Sequence, residues 1–594
     1  MFVKETKVKR SGREYTYLQL VDGYRDGNGK VKHRVVANLG RRDALKASGQ
    51  LEALAGSFAR LDPPMAGTRR SVGPLLLVEH FLRELAVKET VDAGVPRSAR
   101  SILSVGEVVC ALIASRLCSP SPLYDVAGWA SGAAVHELLG IPPALLNDDR
   151  LGRALETFAV YAESLRSTVA ARAIQRFGVD AGRLHVDLST VGVSGAYEDS
   201  ALIAKGWASD RRVARQVRTL QASTADGTVL YSRPDPGNAA ELTLVGASLE
   251  RLLQISGPGL LIVCDSAIGQ PKTMREIHDA GVRFVVPLRA SAGFRERFLK
   301  DAGHGALRPV RYVPQREAKL AASERTVFKG VLRDWEIPAT DQHPSLMLRV
   351  AYIHSSEEAT QVADARERAL QKAEDALTRM RNGLGGRYYK TREQIERRIG
   401  QILGQNITGL IDVSVSTSPE AKIAVEWQRN QQAISTAQSF DGIYALATNL
   451  PGKITAGQVL RLYKDQQIVE RRHRDMKQTL KVRPIFLHND DRVYALLSTV
   501  AIALLIFGLI EAQTRAALGP DQQLPGLLPE GRATRPTGRN ILAAFQGLGL
   551  TYTHTGIQLD PLTDTQQHIL QLLGIQPPWP TQADPAPTNC GKWG

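Results

Sequence analysis

The stretch from residue 463 to residue 477, YKDQQIVERRHRDMK, combines residue types that suit chemistry on a phosphodiester. Tyr463, Glu470 and Lys477 recur every seven residues, and seven residues are two helical turns to within about 20° of rotation. The spacing therefore predicts a helix with these three side chains on one face. A carboxylate among arginines and lysines can hold a divalent metal ion next to phosphate oxygens. The same pattern is also typical of a solvated amphipathic helix on a basic protein, so the helix needs support from the rest of the chain.

Two aspartates stand on predicted strands far upstream of this helix. Asp187 lies in the short strand LHVDL, and Asp265 directly follows the apolar run 260–264, which is typical of a strand buried on both faces. Ligands of open α/β sheets gather at the carboxyl ends of strands, so the two aspartates could lie side by side. The alternative at each position is an aspartate that starts a turn or caps a helix.

Three carboxylates, those of Asp187, Asp265 and Glu470, are enough to hold two Mg²⁺ or Mn²⁺ ions. Two such ions can serve the attacking and the leaving oxygen of an in-line displacement, as phosphodiester cleavage and transfer require. We expect His185 to be a packed or edge residue and not a ligand. We expect the Cys264 thiol to point away from this site, and no partner for a thiol nucleophile is identifiable.

Composition and charge set the frame for these residues. A chain of 594 residues is too long for one hydrophobic core and predicts three or four globular units. Its net charge of +15 and pI near 9.6 indicate a polyanionic partner, although a basic protein without a nucleic-acid role stays open. The four cysteines form no CxxC pair, and the N-terminus lacks the apolar segment of a signal peptide. The apolar run 495–510 is too short to span a membrane, so it predicts a buried core helix. The cysteine usage fits a reducing cytoplasm.

The predicted elements place the three acids in an interrupted α/β pattern. Residues 15–39 predict a β-hairpin or small sheet with a turn at 26–29, and residues 75–172 predict helices. From residue 184 to residue 287 the order is β-β-β-α-β-α-β, after which the pattern breaks off until a strand at 441–449. The intervening section predicts strand-like pieces and a charged helical pair, which is typical of an insertion into one domain. The tail after Pro577 is expected to be disordered.

Several segments taken together resemble the DDE transposases of bacterial insertion sequences. They are LHVDLST at 184–190, GWASDRR and the following RQ within 206–216, DPGNAAELT at 235–243, IVCDSA at 262–267, and the helix of Tyr463, Glu470 and Lys477. The closest likeness is to the subgroup whose signature is Tyr, two residues, Arg, three residues, Glu, six residues, Lys. The resemblance covers roughly residues 180–515 and, more weakly, the N-terminal hairpin.

The resemblance implies an α/β fold with a ribonuclease H-like mixed-sheet catalytic core, interrupted by an α+β insertion and preceded by a β-hairpin plus helical region. Asp187, Asp265 and Glu470 would then be the catalytic, metal-binding triad for two Mg²⁺ or Mn²⁺ ions. The expected domains are an N-terminal hairpin region, a helical domain for DNA docking or dimerisation, two parts of the core around the insertion domain, and a C-terminal region. Their boundaries are 1–65, 66–180, 181–288, 289–440, 441–515 and 516–594, with the insertion domain at 289–440.

The resemblance also implies partners and DNA contacts. We expect the enzyme to bind double-stranded DNA, as terminal inverted repeats and as target, in a homodimer at the bacterial nucleoid and not at a membrane. The expected DNA-binding residues are Tyr463, Gln466, Arg471, Arg474 and Lys477. The signature arginine falls on Gln466, which can donate hydrogen bonds to phosphate but carries no charge, and Lys464 or Arg471 could compensate. A metal-dependent nuclease without strand transfer and an inactive or domesticated DNA-binding derivative are the alternatives.

Overall fold

The computed structural model describes residues 2–581 except 11–12, 26–30, 49, 51–65, 97–100, 208–211, 266–268, 289–292, 342, 419–422, 483–484, 486 and 488. The expected turn at 26–29, Ser266, Cys590 and the part of the tail beyond residue 581 lie outside the described residues. The chain divides into two compact units. Unit 1 comprises Met1–Leu244, Glu250–Ser256 and Ile468–Gly594, and unit 2 comprises Val245–Leu249 and Gly257–Gln467.

Unit 1 begins with a small antiparallel sheet and a group of helices. The sheet has the order β1–β2–β3, so a further strand joins the two that residues 15–39 predict. Most described residues between 75 and 177 are helical, as the apolar spacing of residues 75–172 predicts. The elements are β1 Phe2–Arg10, β2 Arg13–Arg25, β3 Val31–Arg41, α1 Arg42–Ala47, β4 Arg69–Ser71, α2 Leu75–Glu84, α3 Val87–Gly94, α4 Val105–Cys118, α5 Val126–Gly132, α6 Val135–Leu139 and α7 Asp148–Phe177.

Four antiparallel strands follow in unit 1, with β7 pairing with each of the other three. They are β5 Arg183–Gly192, β6 Ala204–Trp207, β7 Val213–Thr224 and β8 Val229–Pro236, and they lead into α8 Glu241–Ser256. Three of the four strands follow from the sequence pattern, and β6 does not. Gly237, just after β8, lies so close to the β7 backbone that a Cβ there would be 2.0 Å from the Gln216 carbonyl oxygen. A side chain at this position would therefore disturb the sheet.

Unit 2 contains a mixed sheet and a separate small core. Within the unit the sheet order is β11–β12–β13–β16–β10–β9, with β9 and β10 parallel and the other neighbours antiparallel. The elements are β9 Leu261–Cys264, α9 Pro271–Asp279, β10 Arg283–Leu288, α10 Phe294–Asp301, β11 Arg308–Val310, β12 Phe328–Ile337, β13 Leu346–Ser355, α11 Ser356–Asn382, α12 Arg392–Ile407, β14 Ile411–Thr417, β15 Ile423–Arg429, α13 Gln431–Gln438, β16 Ile443–Thr448 and α14 Ala456–Lys464.

The predicted insertion, residues 289–440, has two structurally different parts. Strands β12 and β13 continue the sheet, since β13 pairs with β16. The charged pair α11 and α12 and the hairpin β14–β15 build their own hydrophobic core around Leu377, Ile395 and Val425. The α/β class with a mixed sheet is confirmed. The predicted domain boundaries stay a prediction.

Unit 1 resumes with a short helix, a π-helical turn and a long buried helix. The elements are α15 Gln467–Arg474, the π-turn Asp475–Thr479, α16 Asp490–Leu518, α17 Gly538–Ala544, β17 Gly549–Thr553, β18 Gly556–Leu559 and α18 Asp564–Leu573. Helix α16 packs against α4, α7 and β8. It is long and apolar enough to cross a membrane, but 94% of its most apolar window is buried inside the protein. The predicted core helix is confirmed.

Candidate active site

Asp187 sits on β5 in unit 1, where the strand register and two side-chain contacts define its surroundings. Its cross-strand partner on β7 is Gln221. One carboxylate oxygen, Oδ1, accepts a hydrogen bond from the Leu188 N–H at 2.8 Å, and Oδ2 lies 3.4 Å from Nε2 of His473 on α15. The Asp187 side chain is 20% exposed. It therefore lies at the rim of the sheet face, next to α15.

A stripe of buried polar side chains surrounds Asp187 on the same face of the sheet, because residues two apart on a strand and opposite each other on neighbouring strands share a face. Its members are His185 and Ser189 on β5 and Thr219, Gln221 and Ser223 on β7. Gln221 Nε2 donates to Met476 Sδ in the π-turn at 3.1 Å. The segment of α15 and the π-turn therefore covers this polar face.

His185 is fully buried in this stripe, as its packed role predicts. Burial, together with a smaller effect of the charge of Arg183, lowers the pKa of His185 to about 4. Neither ring nitrogen has a hydrogen-bond partner among the described residues. His185 is therefore a neutral side chain at neutral pH.

The segment that the heptad spacing predicts as one helix is divided. Helix α14 ends at Lys464, Asp465 and Gln466 form a turn, and α15 starts at Gln467. After Arg474 the backbone widens into a π-turn, in which Leu480 N–H donates to the Asp475 carbonyl. The expectation of one continuous helix from Tyr463 to Lys477 is therefore wrong, because regular α-helix between these residues covers only the end of α14 and Gln467–Arg474.

Glu470 is exposed on α15, one turn before His473. Residues three apart on a helix are surface neighbours, and His473 contacts Asp187. Within unit 1 the structure thus brings the helix that carries Glu470 against the strand that carries Asp187. His473 is the contact that sequence reasoning missed, although its i, i+3 spacing from Glu470 was a usable signal.

A buried ion-pair network holds α15 in place. Arg472 has no exposed side-chain surface, and its Nε donates to the Gly227 carbonyl at 2.6 Å. Its Nη1 lies 3.0 Å from both Asp475 Oδ2 and Glu511 Oε2. Glu511, on α16, is 1% exposed and also accepts from Arg471 Nη2 at 3.2 Å. Burial alone raises the pKa of Glu511, but the guanidiniums of Arg472, Arg471 and Arg515 lower it more, so the net shift is downward.

Asp265 lies in unit 2, exposed, immediately after the last residue of β9. Gln466 contacts the same place and is only 8% exposed. With its amide oxygen turned toward Asp265, it accepts from the Asp265 N–H at 3.2 Å and donates to the Cys264 carbonyl at 3.2 Å. Cys264 is 1% exposed. The side chain of Gln466 is thus directed at the strand end that carries Asp265.

The other residues expected to bind DNA differ in exposure and in their contacts within the protein. In unit 2, Tyr463 packs against the sheet core, and Lys464 pairs with Glu358 at 2.9 Å. In unit 1, Arg471 is engaged by Glu511, Lys477 is half-buried in the π-turn, and Arg474 is exposed. Contacts of these residues with phosphate stay predictions.

The three carboxylates offer only oxygen donors, which suit hard divalent cations such as Mg²⁺ and Mn²⁺. Asp187 directs Oδ2 at His473, so a cation at this oxygen would sit beside an imidazole. Among the residues that the structure describes, no group of three or more His, Cys, Asp and Glu side chains could hold a metal ion. The oxygen donors of the three acids suit the expected ions. Because no such group lies among the described residues, metal binding stays a prediction.

Three family models match consecutive parts of the chain. One described as the N-terminal domain of IS1634 family transposases matches residues 3–64. A domain of unknown function, DUF4277, matches residues 68–170, and the transposase DDE domain matches residues 185–506, which include all three predicted carboxylates. No curated protein matches the chain. Among solved structures, a chain of the "Mos1 transposase paired-end complex with left transposon end" is 9% identical with a TM-score of 0.13, and the match covers 32% of this chain and 60% of that one.

Proposed function

Since the chain belongs to the DDE transposases of bacterial insertion sequences, we propose that it binds the ends of its own element, cleaves a DNA strand there and transfers the freed 3′ end to target DNA. The proposed partners are the terminal inverted repeats and a target duplex, and the proposed working form is a homodimer. A bacterial enzyme with these substrates acts in the cytoplasm, at the nucleoid.

The observation that carries this proposal is the contact between Asp187 and the helix of Glu470. Asp187 Oδ2 lies 3.4 Å from His473 Nε2, one turn along α15 from Glu470. Gln221, opposite Asp187 on β7, reaches Met476 just beyond the same helix. Asp187 makes this contact and Glu470 lies one helical turn from it, although nearly half of the sequence separates the two acids. This proximity supports a shared carboxylate site for phosphodiester chemistry.

In this mechanism Asp187, Asp265 and Glu470 would hold the divalent cations. When bound, these cations supply activation of the attacking oxygen and neutralise charge on the phosphodiester. In the first step water attacks phosphorus at the element end, and the bond from phosphorus to the 3′ oxygen breaks. In the second step the freed 3′-hydroxyl attacks a target phosphorus, and a target 3′ oxygen leaves. Exposed Arg474 and the side chains of Tyr463 and Lys477 would bind the phosphates.

The test uses the full-length protein and a duplex carrying the genomic sequence that flanks its gene. Glu470→Gln should abolish nicking in Mg²⁺ or Mn²⁺ and leave end binding within about twofold, because the substitution removes one ligand charge and little volume. Chelation should abolish nicking by the wild type. Glu396→Gln is the matched control, since Glu396 is half-exposed on α12 and pairs only with Arg392 among the described residues. This control should nick at the wild-type rate.

Two outcomes would decide for the alternatives. Nicking without joining of the 3′ end to a second duplex would make the protein a metal-dependent nuclease. Binding without nicking by the wild type, at any metal concentration, would make it a DNA-binding derivative. A Glu470→Gln variant that nicks at the wild-type rate would remove Glu470 from the mechanism.

A further inference from the structure

We propose that Gln466 is a positioning residue for Asp265, and not a phosphate-binding residue. The inference rests on the proposed function and assigns a role within the same site. Gln466 occupies the turn between α14 and α15, where its backbone N–H donates to the Tyr463 carbonyl at 3.0 Å. Its side chain is buried and meets the Asp265 N–H and the Cys264 carbonyl, each at 3.2 Å.

Hydrogen-bonding chemistry explains why this position holds an amide. A glutamine side chain offers both an acceptor and donors, whereas arginine and lysine only donate and an ionised glutamate only accepts. The end of β9 presents one N–H and one carbonyl to residue 466, so an amide matches both. An arginine would face the Asp265 N–H with another donor. Glutamine in place of the signature arginine therefore satisfies both backbone groups at the end of β9.

The contact between Gln466 and the end of β9 adjoins two of the proposed metal ligands in the chain. Asp265 stands directly after the last residue of β9. Gln466 immediately precedes α15, the helix that carries Glu470. Residues that orient the ligands of a metal site usually change metal affinity or activity by about 10- to 100-fold when they are replaced. A comparable effect is expected here.

The experiment compares Gln466→Leu, Gln466→Arg and Gln466→Glu in the full-length protein with Gln566→Leu as a matched control. Gln566 is also a buried glutamine that accepts from a backbone N–H, that of Thr563, and donates to a backbone carbonyl, that of Ala544, each at 2.9 Å. It lies on α18, outside the proposed site. Three quantities are measured: end binding by gel shift, the Mn²⁺ or Mg²⁺ concentration that gives half-maximal nicking, and Mn²⁺ binding to the protein without DNA by electron paramagnetic resonance.

The leucine and arginine variants should bind the DNA ends within about twofold of the wild type and need at least about tenfold more metal for half-maximal nicking. They should also bind Mn²⁺ more weakly without DNA. Gln466→Glu keeps the acceptor for Asp265 and should fall between them and the wild type. Gln566→Leu should match the wild type in metal dependence, which separates positioning from a general loss of packing.

Two results would overturn the inference. If Gln466→Arg tightens end binding and keeps wild-type metal dependence, Gln466 faces phosphate. If Gln466→Leu and Gln466→Glu both keep wild-type metal dependence, the contact with Asp265 has no functional role. A wild type that fails to nick would refute the proposed function instead, and the Mn²⁺ titration would still decide the role of Gln466.

Discussion

Glu511→Gln is the substitution that should most clearly reveal what holds the Glu470 helix in place. Glu511 is the buried anion opposite Arg472, and its oxygens also meet Arg471, Arg515 and the Gly538 N–H. Glutamine has almost the same shape but no charge. The substitution therefore leaves Arg472, with 0% of its side chain exposed, facing only the partly exposed Asp475 as an anion among the described residues.

The size of the effect follows from the burial of the pair. Removing one member of a buried ion pair typically costs about 3 to 5 kcal/mol, since the other charge is left without compensation. The substituted amide keeps an acceptor oxygen, and Arg472 keeps its bonds to Asp475 and to the Gly227 carbonyl. We therefore expect a loss near the lower limit, about 3 kcal/mol, which corresponds to about a hundredfold increase in local opening.

Hydrogen–deuterium exchange measured by mass spectrometry is the suitable assay, because a chain of 594 residues does not unfold in one two-state step. Peptides that cover α15 and the facing part of α16 should exchange faster in Glu511→Gln, and peptides from unit 2 should not change. Glu530→Gln is the control, since the Glu530–Arg532 pair is exposed at a distance of 3.7 Å. Pairs of this kind are worth about 0 to 1 kcal/mol.

The pH dependence of local opening provides an independent check of the Glu511 network, because the direction of the change with pH can be predicted. The three guanidiniums hold the pKa of Glu511 below its usual value of 4.5 in the folded protein. The stabilisation is therefore fully present above pH 4.5 and is lost as the pH falls through the folded-state pKa. The difference in opening between the wild type and Glu511→Gln should be constant above about pH 5 and shrink as the pH falls below 4.5. Equal exchange in both proteins at neutral pH would refute the network as the anchor of α15.

The remaining predictions concern one backbone position and two surface cations. Gly227→Ala should speed hydrogen–deuterium exchange in α15, because a Cβ at this glycine, whose φ is +91°, would lie 2.8 Å from Arg472 Nη2. Gly257→Ala is the control for positive φ alone and should leave exchange in α15 unchanged, because Gly257 has φ +77° but lies in open space. Arg474→Ala should make the negative slope of log affinity against log salt concentration shallower by about one, the value expected when the wild-type Arg474 contacts one phosphate. Lys464→Ala should leave that slope unchanged in gel shifts at several salt concentrations, since its ammonium already pairs with Glu358.

Local patterns predicted the elements that carry the acids. LHVDL and the apolar run before Asp265 correspond to β5 and β9, because alternating or continuous apolar residues report directly on which faces of a strand are buried. The same holds for α16, whose apolar run is buried as predicted. These predictions needed only residues within one element.

The break in the signature helix could not be predicted in the same way. Heptad spacing fixes the rotation between side chains only if the helix is continuous, and Gln466 instead turns its amide to the end of β9. That contact joins residues about 200 positions apart, so no local window contains it. The buried partner of Arg472 is also distant, since Glu511 follows an apolar run that gives no sign of an anion's role.

Burial and ion pairing decide which lysines and arginines of the signature region can contact phosphate. Between residues 461 and 483 the sequence has eight lysines and arginines against three acids, and the sequence alone treats all eight as a possible phosphate surface. In the structure, the side chain of Arg472 is completely buried. Arg471 forms an ion pair with Glu511, and Lys464 forms one with Glu358. A cation fixed by a protein carboxylate releases fewer counterions when DNA binds, because its charge is already neutralised. The electrostatic contribution of this region to DNA affinity should therefore come from exposed cations such as Arg474, and the buried ones should act on the position of Glu470.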